Sequence, residues 1–122
     1  MSTALLIEDE FLIRELAEAY LNDAGFDVTV TRDGREALDE LNKGTKFDLL
    51  FTDIRMPGGI DGRDVAEEAK KLIPGLRIVY ATGYSDAADQ LSEREVCIEK
   101  PYTFSTLRRV LGDLGFSEEA QS

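Results

Sequence analysis

Short apolar runs of strand length alternate five times with stretches of helical periodicity, which limits this chain to few architectures. The runs cover residues 4–7, 26–30, 47–52, 77–81 and 96–98. Between the first two, Ile13, Leu16, Ala17, Tyr20, Leu21 and Ala24 fall on one helical face, and Gly25 stops the helix. A second helix over residues 35–41 turns Ala37, Leu38 and Leu41 inward. A loop over residues 56–62 leads into a third, which runs to about residue 72 with Val65, Ala66, Ala69 and Leu72 inward. A fourth, over residues 86–91, is short and poorly amphipathic. A fifth, over residues 104–114, buries Phe104, Leu107, Val110, Leu111 and Leu114. Strand and helix in such alternation imply βαβ units and a parallel sheet, because parallel neighbours cannot be joined by a tight turn. The third run is almost continuously apolar, which suits a central strand covered on both faces.

A parallel sheet gathers the carboxyl ends of its strands along one edge, where open α/β sheets bind ligands. Glu8 and Asp9 follow the first run, Asp53 the third, Thr82 the fourth, and Lys100 comes just after the fifth. Two unit charges 4 Å apart interact by about 4 kcal/mol at an effective dielectric near 20. Three crowded carboxylates therefore need more counter-charge than Lys100 supplies. A divalent cation meets the need, and Mg²⁺ prefers oxygen ligands, often one or two carboxylates with a phosphate. The Asp53 carboxylate can serve as a nucleophile that forms an acyl phosphate. Such a transfer requires alignment and charge neutralisation more than covalent help. The Thr82 hydroxyl can bond a phosphate oxygen, and Gly83 lets the backbone come close to it. Taken singly, Glu8 and Asp9 read as helix-capping acids, Asp53 as a turn residue and Thr82 as a β-branched strand residue. Together they read as a cation-plus-phosphoryl site.

The segments Ile7-Glu8-Asp9-Glu10, Phe51-Thr52-Asp53-Ile54-Arg55-Met56-Pro57, Asp61-Gly62, Ala81-Thr82-Gly83 and Lys100-Pro101 stand in this order. They resemble the CheY-like receiver domain of bacterial two-component response regulators, and the likeness covers about residues 3–114. It implies a flavodoxin-like (βα)5 doubly wound parallel sheet of strand order 2-1-3-4-5, with Glu8 and Asp9 beside Asp53. It further implies that Asp53 is the phospho-acceptor. Asp9, Asp53 and the backbone carbonyl of Arg55 would bind Mg²⁺ directly, with Glu8 mainly through water. Thr82 would move toward the phosphoryl group and carry its loop along. A cis Lys100–Pro101 bond would aim the Lys100 amine inward.

The partners implied are a sensor histidine kinase or histidine phosphotransfer protein as donor, and a downstream protein on the surface of the fourth helix, fifth strand and fifth helix. The roles open to such a chain are a stand-alone regulator, a phosphorelay intermediate or a receiver cut from a hybrid kinase. In each the domain is a phospho-acceptor rather than an enzyme. Two features depart from the receiver pattern. The loop from Asp53 to Gly62 is one residue longer than its commonest form, and Cys97 stands where many receivers carry a switch aromatic. Tyr80-Ala81-Thr82-Gly83-Tyr84 resembles a subgroup of single-domain receivers with a Phe-Ala-Thr-Gly-type motif. Tyr84 then supplies the missing ring, either as a switch element beside Thr82 or as a cover over the acyl phosphate.

Composition removes other classes. The chain has 122 residues, one domain's worth, read as a receiver over residues 1–116 and a disordered tail over 117–122. A net charge of -11 without a basic patch argues against a nucleic-acid partner. The sequence holds no histidine, so the phosphohistidine donor is another protein. No apolar run is long enough to span a bilayer. The single cysteine, Cys97, excludes an internal disulfide, fits a reducing cytoplasm, and in an apolar strand reads as a small buried hydrophobe. An Asp-nucleophile phosphatase of haloacid dehalogenase type needs a second acid two residues after the nucleophile, where this chain has Arg55. A flavodoxin-like cofactor module needs a first loop that welcomes phosphate, and Glu8-Asp9-Glu10 would repel it.

Overall fold

The computed structural model describes residues 2–56, 58–83 and 91–116. Its elements in chain order are β1 (Ser2–Ile7), α1 (Phe11–Asp23), β2 (Phe26–Thr31), α2 (Gly34–Asn42), β3 (Leu49–Asp53), α3 (Gly62–Leu72), β4 (Arg77–Thr82), β5 (Glu95–Glu99) and α4 (Phe104–Asp113). The strands form one sheet of order β2-β1-β3-β4-β5. Every neighbouring pair is parallel. This is the doubly wound order expected from the resemblance. The α4 defined here is the helix expected as the fifth. The expected fourth falls on residues that lie outside the described set, save Leu91.

Alternating side chains along each strand divide the core in two. Ala4, Leu6, Leu49, Phe51, Val79 and Ala81 face α1 and α4, against Ala17, Leu21, Leu107, Val110 and Leu111. Leu5, Ile7, Leu50, Ile78 and Tyr80 face α2 and α3, against Ala37, Leu41, Val65, Ala66 and Ala69. The central strand β3 is buried along its whole length, so its apolar run needs no alternation. Gly25, just past α1, takes a positive φ of 97°, the left-handed turn that a stop signal requires.

Several expectations need correction. β3 begins at Leu49 rather than at position 47, because Asp48 instead accepts the Thr3 amide on its Oδ2 at 2.8 Å. Gly62 is the first residue of α3 and not part of the loop, since Asp61 and Asp64 close a capping box around that end. Leu16 and Leu72 stand on the expected faces but are 43% and 39% exposed. Leu72 is the last residue of its helix. Leu16 belongs to the amino-terminal part of α1, where Phe11 and Leu12 are exposed too. Among the described residues no helix is long and apolar enough to cross a membrane.

Candidate functional site

The sheet order sets the acids side by side. Ile7, the last residue of β1, pairs with Thr52, the residue before Asp53. Glu8 continues from β1 and its amide donates to Thr31 O at 3.2 Å, which holds it at the end of β2 as well. Oxygens of Glu8, Asp9 and Asp53 lie within 4.8 Å of one another. Glu8 is 2% and Asp53 8% exposed, whereas Asp9 is open to solvent. Lys100 enters from the opposite side. Its ammonium stands 2.9 Å from Glu8 Oε1 and 3.1 Å from Asp53 Oδ2, bridging the two buried acids.

Two devices aim that amine. The Lys100 amide donates to Thr82 O at 2.8 Å, which ties it to the end of β4. Beyond the cis Lys100–Pro101 bond, the buried Tyr102 packs edge-on against Phe51 of β3, centroids 5.7 Å apart. Thr82 closes β4 and is 2% exposed, beside Lys100 through that bond. The hydroxyl, the amine and the acids thus share one edge of the sheet.

Burial is the chief influence on these groups. It raises the pKa of Glu8, against the lowering effect of the Lys100 and Glu10 hydrogen bonds. It raises Asp53 in the same way, against the pull of Lys100. Burial also works against the Lys100 ammonium. The bonds and charges of Glu8 and Asp53 together outweigh that effect, so its pKa stands above the usual lysine value. One ammonium therefore does not fully compensate the acids around it. Hard oxygen donors, one of them open to solvent, fit a small divalent cation.

Glu8 was expected mainly as a water-mediated ligand, and the structure adds a direct ion pair with Lys100. Neither Glu8 nor Asp9 caps α1. The N-cap is Glu10, whose side chain makes no capping bond. Arg55 is exposed on the loop after β3 and, with Ile54, Asp61 and Arg63, lines a polar hollow beside the crevice. Cys97 is half-buried and packs against the α2/α3 side of the core, which a small residue on an edge strand allows. Tyr84 lies outside the described residues, as do Pro57 and the expected tail.

Two residues shape the site in ways the sequence reading did not give: Gly62, quoted there only within Asp61-Gly62 and as the end of a loop, and Arg14. A Cβ on Gly62 would lie 2.0 Å from Asp53 O, so only glycine lets α3 seat against the end of β3. The signal was Asp61-Gly62, an N-cap followed by a residue without a side chain. The other is Arg14, whose Nη1 donates to Glu8 O at 3.1 Å and to Asp9 O at 3.4 Å.

A family model for the response regulator receiver domain matches residues 4–111. The autoinducer 1 sensor kinase/phosphatase LuxN of Vibrio campbellii is 33% identical over 116 residues, 91% of this chain. The match spans 13% of LuxN. A response regulator receiver protein from Sinorhizobium medicae superposes with a TM-score of 0.85 at 32% identity, covering 99% of this chain and 97% of that one. The response regulator TrrA of Thermotoga maritima, in complex with Mg²⁺-BeF, gives 0.81 at 32% identity, covering 93% and 99%. The structure of TrrA with the histidine kinase ThkA gives 0.78 at 30% identity, covering 95% and 100%.

Proposed function

The chain belongs to the response regulator receiver domain family, and on that premise we propose that Asp53 accepts a phosphoryl group from the phosphohistidine of a sensor histidine kinase or histidine phosphotransfer protein. The observation that carries this reading is the placement of Lys100 between two buried acids, with all three carboxylates of the crevice within 4.8 Å. An Asp53 oxygen attacks phosphorus, the bond from phosphorus to the donor imidazole breaks, and its electron pair returns to the imidazole nitrogen. The product is an acyl phosphate on Asp53. The Lys100 ammonium, 3.1 Å from that carboxylate, is placed to hold a phosphoryl oxygen. The Thr82 hydroxyl serves a second oxygen, and Gly83 leaves the approach open. Asp9, Asp53 and the carbonyl of Arg55, with Glu8 behind them, would hold Mg²⁺, which when bound supplies the missing positive charge.

TrrA, similar to this chain over its whole length, has been captured with a histidine kinase and with Mg²⁺-BeF, which supports the same donor class and cation here. A donor has a surface to cover. Phe11, Leu12 and Leu16 are exposed on α1, and Leu16 lines a groove of about 260 Å³ with Ile13, Lys100, Pro101 and Tyr102. The downstream partner binds the surface of β5, α4 and the helix expected over residues 86–91, in the cytoplasm, with Thr82 and Tyr84 relaying the change. The domain's own carboxylate is consumed and regenerated, so its part in the relay is that of an acceptor. The phosphatase reading stays disfavoured, because Arg55 is exposed where a second acid is needed.

The test is phosphotransfer from a panel of phosphorylated sensor kinases. The wild-type chain takes up label that alkali and hydroxylamine remove, and Asp53→Asn takes up none. Label kept in Asp53→Asn means that another acid is the acceptor.

A further inference from the structure

Three of the four described helices begin on a side chain that bonds a free amide: Asp33 for α2, Asp61 for α3 and Thr103 for α4. α1 has no such cap, although it follows the loop that carries Glu8 and Asp9. The Glu8 side chain is turned back from that role. Glu8 Oε2 accepts the Glu10 amide at 3.1 Å, while its other oxygen holds Lys100. This loop is held from the far side instead. Arg14 reaches back along α1 and donates from Nη1 to Glu8 O at 3.1 Å, with a longer bond to Asp9 O at 3.4 Å. Its guanidinium also lies over the Phe11 ring, 5.5 Å from its centre. A cation near a helix N-terminus sits at the unfavourable end of the helix dipole. The two carbonyls explain its place there.

We propose that Arg14 is a positioning residue of the acidic site. Its guanidinium clamps the backbone of Glu8 and Asp9 and so holds the exposed Asp9 carboxylate in reach of Asp53. The proposal rests on the reading that these acids hold Mg²⁺. Partners one bond behind a ligand matter in such sites, and their loss typically weakens metal binding 10–100-fold.

The sign of the effect separates two roles. Acting through charge alone, Arg14 repels Mg²⁺, and removing it tightens binding. Acting as a clamp, its removal weakens binding. Arg14→Gln removes both the charge and the reach of Nη1. Arg14→Lys keeps the charge on a shorter side chain, whose ammonium ends short of the Nη1 position that meets both carbonyls. The experiment is an Mg²⁺ titration of the full chain by calorimetry, with Asp9→Asn as control, and amide exchange of the metal-free proteins. Both Arg14 variants bind Mg²⁺ about tenfold more weakly. In the metal-free state their amides at positions 9–11 exchange faster, while those of β1 and β3 keep their protection. The second readout needs no metal and shows that the fold has survived. Unchanged or tighter binding in Arg14→Gln, with Asp9→Asn impaired, overturns the role of Arg14 and leaves the metal site standing. A wild-type chain that binds no Mg²⁺ overturns the metal reading and this proposal together.

Discussion

A glycine inside a helix usually weakens it by about 1 kcal/mol relative to alanine. Gly62→Ala reverses that sign. The new Cβ would meet Asp53 O at 2.0 Å, Thr52 Oγ1 at 2.9 Å and Asp53 C at 3.0 Å. Reaching even 3.0 Å from that oxygen requires α3 and β3 to part by about 1 Å (3.0 less 2.0). The move strains the Gly62 amide bond to Ile54 O, now 2.8 Å. Overpacking of this kind costs about 2 kcal/mol, and a buried amide left without its acceptor about 2 kcal/mol more. Subtracting the helical gain of about 1 kcal/mol leaves a net loss of about 3 kcal/mol. For a domain of this size that lowers Tm by roughly 10 °C. Gly112→Ala in α4 is the control, because its Cβ would meet nothing within 4 Å. It should gain up to about 1 kcal/mol. Denaturant unfolding followed by circular dichroism measures both, and phosphotransfer measures how far Asp53 has moved. A Gly62→Ala protein as stable as wild type, with normal phosphotransfer, would refute the claim that this contact holds the acceptor in place.

Other expectations follow from the charges of the crevice. Glu8 and Asp53 have pKa values raised above 4.5 and 3.8 by burial, so their contribution to stability is complete below those values and is lost as pH rises through the raised ones. The lowered Glu36 and Glu95 act the other way, but lose their contribution only below 4.5. Metal-free protein should therefore lose stability as pH rises through the raised values of Glu8 and Asp53, and saturating Mg²⁺ should remove that loss; a Tm that climbs through the same rise without metal contradicts this. Lys100→Ala strips two buried acids of their shared partner and should cost about 3 kcal/mol in metal-free protein at pH 8, a cost that shrinks as pH falls and the acids take up protons. It should also slow phosphorylation, and a variant labelled at the wild-type rate would count against the role of the amine. Asp9→Asn should bind Mg²⁺ weakly, by calorimetry, while its metal-free stability equals or exceeds that of wild type.

Five strands and four of the helices were legible in the sequence because periodicity reports which face of an element is covered. It does not report how far the cover extends. Leu16 and Leu72 have inward spacing, yet one lies near the open end of α1 and the other at the end of α3. The meeting of Glu8, Asp9, Asp53, Thr82 and Lys100 was legible once parallel strands were inferred, since one rule places every strand end on the same edge. The order of the strands was not in the periodicity. It came from the resemblance, and the sheet bears it out. The rule for strand ends puts Lys100 near the acids but does not give its direct ion pair with Glu8, which depends on a side chain crossing from β5 past β4 and β3, a distance no local pattern encodes. What Gly62 and Arg14 do was missed for a related reason. Each acts on the backbone of another segment, through a missing Cβ in one case and a long side chain in the other.

β5 lies at the edge of the sheet and pairs with β4 alone. Edges open at lower free energy than interiors, in local excursions that leave the rest of a molecule intact. Lys100 follows directly on this strand. Each excursion of the edge therefore withdraws the amine from the acids, and the crevice is dismantled while the central strands stay paired. A phosphoryl group held by Lys100 and Asp53, as proposed above, would bind only the closed form and draw the equilibrium toward closure. On the proposed function, phosphorylation of this chain would act as a clasp on the margin of the sheet.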